Sequence, residues 1–320
     1  MVDPDWFVGA GLGVFVHWDH ASQQGLEISW PLVGVGPPGS RHVSIEQYQS
    51  TATTFDPKAW TAPALARIVR DAGARYAVLT AKHHAGYAMW PTRQSNFSIE
   101  RSPYRGDIVG EFCEAIRAEG LRVGLYFSLA DWHHPDYPAF REEDKPYRHG
   151  HSPPLPSDTA WARFLEFMSG QTRELLTDYG RIDVLWFDGG WERPLQMWRG
   201  SELVDMVHAL QPEILINDRL PGFGNFATPE QFVPAKPPAG LWETCMTMNE
   251  SWGYNPDDRN YKSPAQIVDS LSEVVSRGGN LLLNVSPRGD GTLPPEQIER
   301  LKHLGRWMRA REETERPEGP

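Results

Sequence analysis

At 320 residues the chain is longer than most two-layer domains and within the usual range of one α/β barrel, so a single large domain is the starting expectation. A formal charge of -11 speaks against a nucleic-acid partner, which would require clustered Lys and Arg. The two cysteines, Cys113 and Cys245, have neither metal-like nor disulfide-framework spacing; no apolar run is long enough to span a bilayer, and the start lacks a secretory pattern, so a cytoplasmic location is expected.

In chain order, short β-branched or aromatic runs alternate with longer helical stretches. Strands are expected at 13–18 (GVFVHW), 75–82 (RYAVLTAK), 122–128 (RVGLYFS), 182–188 (IDVLWFD), 214–218 (ILIND), 241–246 (LWETCM) and 280–285 (NLLLNV), with an eighth left to the irregular stretches. Between them fall helices at 59–72, 107–119, 159–179, 201–210, 264–277 and 295–309, each about the length that a crossover between parallel strands needs. Runs such as VLWF and LLL suit strands buried on both faces. An open doubly wound sheet would carry a Gly-rich turn after its first strand, and none is present. Instead His17, His83, His84, Ser128, Asp188, the run Asn217-Asp218-Arg219, Glu243 and Asn284 gather at or just past strand ends, as catalytic residues do on a barrel rim. The expected architecture is therefore a (β/α)8-like, TIM-type barrel over residues 1–310, followed by a charged, frayed tail at 311–320. Its long loops, 29–55, 130–157 and 219–240, are expected to form binding surface.

Asp188 ends an apolar strand and is followed by two glycines, which permit close approach of a ligand or backbone. Trp186, two positions earlier, faces the same side by period-2 alternation. A retaining glycosidase needs a second carboxyl group about 5 Å away, and Asp218, Glu230, Glu243 and Glu250 are the candidates. Glu230 lies in a Gly/Pro/Phe-rich loop from which a mobile acid would reach over the substrate, in apolar surroundings. Thirteen Trp suit a carbohydrate site as well as a core. The histidines cluster as His17/His20, His83/His84 and His133/His134. They leave open a metal-dependent barrel hydrolase built on His17, His20, His83 and Asp188, as well as sugar-hydroxyl binding.

The segments GVFVHWD, YAVLTAKHHAGYAMWP, GLYFSLADWHHPDY, DVLWFDGGWE, INDR, FATPEQ, WETCMTMNESWGYN and GGNLLLNVSPRGDGTLPPEQ, in this order, carry a resemblance to the α-L-fucosidases of glycoside hydrolase family 29 over nearly the whole chain. The resemblance implies a retaining exo-α-L-fucosidase acting on fucosylated oligosaccharides or glycoconjugates without a cofactor, with an L-galactosidase as the near alternative. It implies Asp188 as nucleophile and Glu230 as acid/base, with Glu243 in reserve. As sugar ligands it implies His17, Trp30, His83, His84, Tyr126, Trp186, Arg219 and Trp252, the last against the C5 methyl group. Two positions depart from the family pattern. Asp19 stands where H-W-G is common, and Ile28-Ser29-Trp30 where S-E-W is common, so that Glu27 is the nearest acid. The family's usual C-terminal β-sandwich is not expected.

Overall fold

The computed structural model describes residues 4–34, 43–138 and 154–315. Eight parallel strands, β1 (Leu12–Val16), β2 (Tyr76–Lys82), β3 (Arg122–Ser128), β4 (Val184–Asp188), β5 (Leu215–Ile216), β6 (Phe226–Ala227), β7 (Leu241–Met246) and β8 (Asn280–Val285), follow the order β5-β4-β3-β2-β1-β8-β7-β6. A single bridge, Asn217 to Phe226, brings the two edges together, so the sheet curls into a nearly closed barrel, as the alternation of elements implied. β6 is the eighth strand that had no recognisable pattern of its own.

The helices are α1 (Ile45–Ser50), α2 (Ala62–Asp71), α3 (Ile108–Ala118), α4 (Asp158–Thr177), α5 (Gly200–Leu210), α6 (Pro264–Ser276) and α7 (Pro295–Glu315). Each long helix begins and buries itself for local reasons. α2 buries Ala62, Leu65, Ala66 and Val69, a stripe with helical spacing. α6 starts on a capping box, in which the Ser263 side chain accepts from the Gln266 amide while the Gln266 side chain accepts from that of Ser263. α7 continues past residue 310 to Glu315, and residues 316–320 of the expected tail lie outside the described residues.

Inside the barrel, alternate strand residues form a separate aromatic layer comprising Phe15, Tyr76, Val78, Tyr126, Val184, Trp186, Phe226, Cys245 and Leu282, with Phe7 packed into the same cluster. Gly13 makes room for this layer, since a Cβ there would lie 2.3 Å from the Tyr76 ring. The cluster runs from the strand starts at Tyr76 and Val184 up to Phe15, Tyr126, Trp186 and Cys245 at the floor of the rim cavity.

The β5–β6 side is built differently. No helix separates β5 from β6 or β6 from β7. β5 is shorter than the run ILIND suggested because side-chain amides take over the ladder. Asn217 Oδ1 accepts from the Phe187 amide at 2.7 Å and its Nδ2 donates to the Phe187 carbonyl at 2.9 Å, continuing the β4 pairing beyond the strand's end. Asn225 does the same for Ile216, whose amide donates to Asn225 Oδ1 at 2.8 Å.

Candidate active site

The C-terminal rim encloses a cavity of about 210 Å³ lined by Phe15, His17, Trp30, His83, Tyr126, Trp186, Asp188, Trp191, Arg219, Glu230, Cys245 and Trp252. It contains nine of the ten expected site residues. The tenth, His84, stands directly behind, with its Nε2 3.8 Å from Asp188 Oδ2.

Asp188 is the last residue of β4 and is buried. The Tyr126 hydroxyl, one strand over, donates to its Oδ2 at 2.8 Å, and Arg219 Nη1 lies 3.3 Å from its Oδ1. Burial pushes the carboxyl above its ordinary range; Arg219, the Tyr126 hydroxyl and the Gly189 amide pull it back toward the charged form. The double glycine after Asp188 has a definite role. Gly189 adopts φ +75°, and a Cβ on Gly190 would lie 2.4 Å from the Arg219 carbonyl. This close approach lays the Arg219 segment against the residues that follow Asp188.

Arg219 joins the two expected catalytic residues. Its Nη2 donates to Glu230 Oε2 at 2.8 Å while Nη1 faces Asp188, and the guanidinium lies over the Trp186 ring, 4.8 Å from its centre. Two expectations for Glu230 need correction. It is not on a free loop, because its segment is bridged to β7 at Cys245: the Gln231 amide donates to the Cys245 carbonyl at 2.9 Å, and the Cys245 amide to the Pro229 carbonyl at 3.0 Å. Nor is its envelope apolar, since its nearest polar partner is a guanidinium and its side chain is 38% exposed.

The reserve candidate Glu243 sits a layer too deep. It is fully buried within β7, where its Oε2 accepts from Tyr76 at 2.5 Å and its Oε1 from Trp186 Nε1 at 2.7 Å. Burial pushes its pKa up to about 7. Glu243 therefore holds the Trp186 ring in place from below and does not border the cavity. Glu27 also supports from behind: its Oε1 accepts from the Trp252 amide, fixing the segment that carries the Trp252 side chain. Burial raises Glu27 to about 8.

The pairs of histidines separate. His17 and His83 line the cavity, whereas His20 packs between the Tyr48 and Tyr87 rings and contacts Thr51 at 2.6 Å. His133 stacks on Phe97 with ring centres 4.0 Å apart, and His134 packs against Phe164 and Phe167. The set needed by the metal-hydrolase alternative is thus divided between the cavity and the packing beside it. Among the described residues no group of three or more His, Cys, Asp or Glu is placed to hold a metal ion. Burial pushes His17 and His84 down to about 3 and holds His83 well below the usual imidazole range, so all three are neutral around pH 7.

Three lining residues had not been singled out: Phe15, Cys245 and Trp191. Phe15 lies two positions before His17, and Cys245 two after Glu243, so strand alternation was the available signal. Trp191 follows the double glycine in a short 3-10 turn, where no periodicity applies, and remains 41% exposed at the cavity mouth.

A parallel barrel whose rim holds paired carboxylates, neutral imidazoles and flat aromatic faces defines a glycoside hydrolase. The sequence profile of the Alpha-L-fucosidase family matches residues 2–313, and the chain belongs to that family. It is 32% identical to the tissue alpha-L-fucosidase of Homo sapiens over 95% of this chain and 67% of that protein. Among solved structures, alpha-L-fucosidase isoenzyme 1 from Paenibacillus thiaminolyticus is 36% identical, with a TM-score of 0.85 over 97% of this chain and 76% of the other. A family 29 alpha-L-fucosidase from Bacteroides thetaiotaomicron, solved as a trapped covalent intermediate with 2-fluoro-fucosyl fluoride, is 27% identical, with a TM-score of 0.82 over 97% of this chain and 75% of that one.

Proposed function

We propose that this enzyme is a retaining exo-α-L-fucosidase that removes terminal α-L-fucosyl residues from oligosaccharides or glycoconjugates, with Asp188 as nucleophile and Glu230 as acid/base. The observation that carries this reading is the sharing of one guanidinium by two carboxylates at the mouth of a small cavity. At about 210 Å³ the cavity is smaller than the ~300–1,000 Å³ of sites that accept drug-sized ligands, which suits one terminal sugar ring. The covalent intermediate trapped in the Bacteroides relative supports the same route here.

Asp188 attacks the anomeric carbon as Glu230 gives a proton to the departing glycosidic oxygen, forming a β-fucosyl ester. Glu230 then takes a proton from water, which attacks the same carbon and releases Asp188, with net retention. Arg219 favours the charged form of Asp188 before attack, and the Tyr126 hydroxyl orients the carboxylate without competing for the carbon. Trp252, with its ring centre 4.8 Å from that of His17, offers an apolar face for the C5 methyl group, and Trp191 at the mouth offers one to the leaving group. The test is hydrolysis of aryl α-L-fucoside and aryl α-L-galactoside, followed by proton NMR of the first-formed sugar. The expected result is turnover of the fucoside with α-fucose appearing first. β-Fucose appearing first, or a preference for the galactoside, would contradict the proposal.

A further inference from the structure

The three neutral histidines at or behind the cavity wall each use Nδ1 to contact a residue further out, and for two of them the chemistry of that residue decides which ring nitrogen bears the proton. Behind His17 is Asn284, whose amide orientation is fixed because its Nδ2 donates to the Trp252 carbonyl at 2.7 Å. Asn284 Oδ1 therefore faces His17 Nδ1 at 2.7 Å and can only accept. Behind His84 is Ser128, whose single hydroxyl proton is already given to the Ala130 carbonyl at 2.6 Å. Its oxygen, 2.6 Å from His84 Nδ1, has only lone pairs to offer. Behind His83 is Ser29. Ser29 Oγ accepts from the Ala85 amide at 2.8 Å and lies 2.7 Å from His83 Nδ1, a pair in which either atom is able to donate, so Ser29 does not fix the His83 tautomer.

We infer that Asn284 and Ser128 are positioning residues that lock His17 and His84 as Nδ1–H tautomers, so that the site holds two bare Nε2 acceptors, that of His17 on the cavity wall and that of His84 behind it beside Asp188, and selects a sugar whose hydroxyls donate. A second observation points the same way. His84 Nε2 is buried without a hydrogen-bond partner among the described residues, 3.8 Å from the Asp188 carboxylate, and a bare acceptor beside another acceptor is a place for a donor.

The recognition half of this inference rests on the fucosidase reading; the tautomer half does not, and the two are measured separately. Long-range ¹H–¹⁵N NMR of the full chain, with rings assigned through single His→Gln variants, reads each tautomer without substrate. The expected pattern at pH 7 is Nδ1 protonated and Nε2 bare in the His17 and His84 rings; an Nε2–H form or an imidazolium in either of them would overturn the assignment. Asn284→Ala should change the His17 pattern alone and Ser128→Ala the His84 pattern alone. Unchanged patterns in folded variants would reduce both residues to packing. Recognition is then tested by inhibition with 2-, 3- and 4-deoxy and deoxyfluoro methyl α-L-fucosides. Because fluorine accepts but does not donate, the fluoro sugars facing these histidines should bind as poorly as the deoxy sugars, about tenfold or more below the parent. Fluoro analogues binding like the parent would refute donor selection even with the tautomers as assigned.

Discussion

Asp188 and Glu230 both line the cavity and share the Arg219 guanidinium, yet they stand on differently built parts of the barrel. Asp188 ends β4, which is paired in register with β3 from Gly124–Val184 to Ser128–Asp188, and it is buried. Glu230 follows β6, a two-residue strand, on a segment tied to β7 by a bridge at Cys245 and to the rim by Arg219. On the proposed assignment the nucleophile must meet one carbon along one line, which a full strand favours. The acid/base must serve two oxygens in turn, the departing one and that of water, which suits a more exposed carboxylate on an irregular segment.

The largest effect expected from breaking this pair is at Asp188. Asp188→Ala should lower kcat/KM on aryl fucoside roughly 10³-fold or more, because among the described residues Glu230 is the sole other carboxylate lining the cavity and it is assigned the other role. Activity within tenfold of wild type, measured with folding verified by circular dichroism, would remove it from the nucleophile role.

Glu230→Ala should discriminate between substrates. Natural oligosaccharides, whose leaving group needs a proton, should slow by roughly 10²–10⁴-fold, and an aryl fucoside far less in its first step. A burst of nitrophenol before a slow steady state should be visible by stopped flow. Equal losses on both substrates would return the choice to another carboxylate.

A smaller effect should be seen at the cavity mouth. Trp191→Ala should cost about three- to tenfold in kcat/KM for an oligosaccharide and little for fucosyl fluoride, whose leaving group is too small to meet the ring. Equal loss on both would place the ring against the fucose itself.

The smallest effect is on stability and concerns Glu243. Its pKa rises from 4.5 in the unfolded chain to about 7 in the fold, so the stability from its protonated form is complete below pH 4.5 and is lost as pH rises to about 7. His17 and His84, lowered from 6.5 to about 3, act in the opposite sense and lose their contribution as pH falls below 6.5. The Tm of Glu243→Gln relative to wild type should therefore increase between pH 4.5 and 7. A constant Tm difference over that range would show that Glu243 is not buried in its protonated form.

The same contrast explains what could be read from the sequence. The full strands announced themselves by apolar runs, and with them Asp188, Trp186, His17 and Tyr126, whose alternation sets the face they share. β6 could not be recognised because it is only two residues long, Phe226–Ala227, paired to β7 at Leu241 and Trp242, and too short to carry a β-forming run. Glu230 and Glu243 could not be ranked because depth within the barrel depends on what fills each layer. Tyr76 and Trp186 occupy the layer of Glu243, and Gly13 makes room for the Tyr76 ring. The Glu27 path was also hidden, since its carboxylate turns to the Trp252 amide, a contact between residues 27 and 252 that no local pattern encodes.

The division of labour between the two carboxylates is tested most directly by the configuration of the azide product from each variant. Azide should enter the space left in Asp188→Ala and yield β-L-fucosyl azide, whereas in Glu230→Ala it should attack the fucosyl-enzyme from the opposite face and yield the α anomer. Proton NMR of the two products distinguishes the outcomes. Opposite configurations are the predicted result; the same configuration from both variants, or no azide product from either, would contradict the assignment of nucleophile and acid/base.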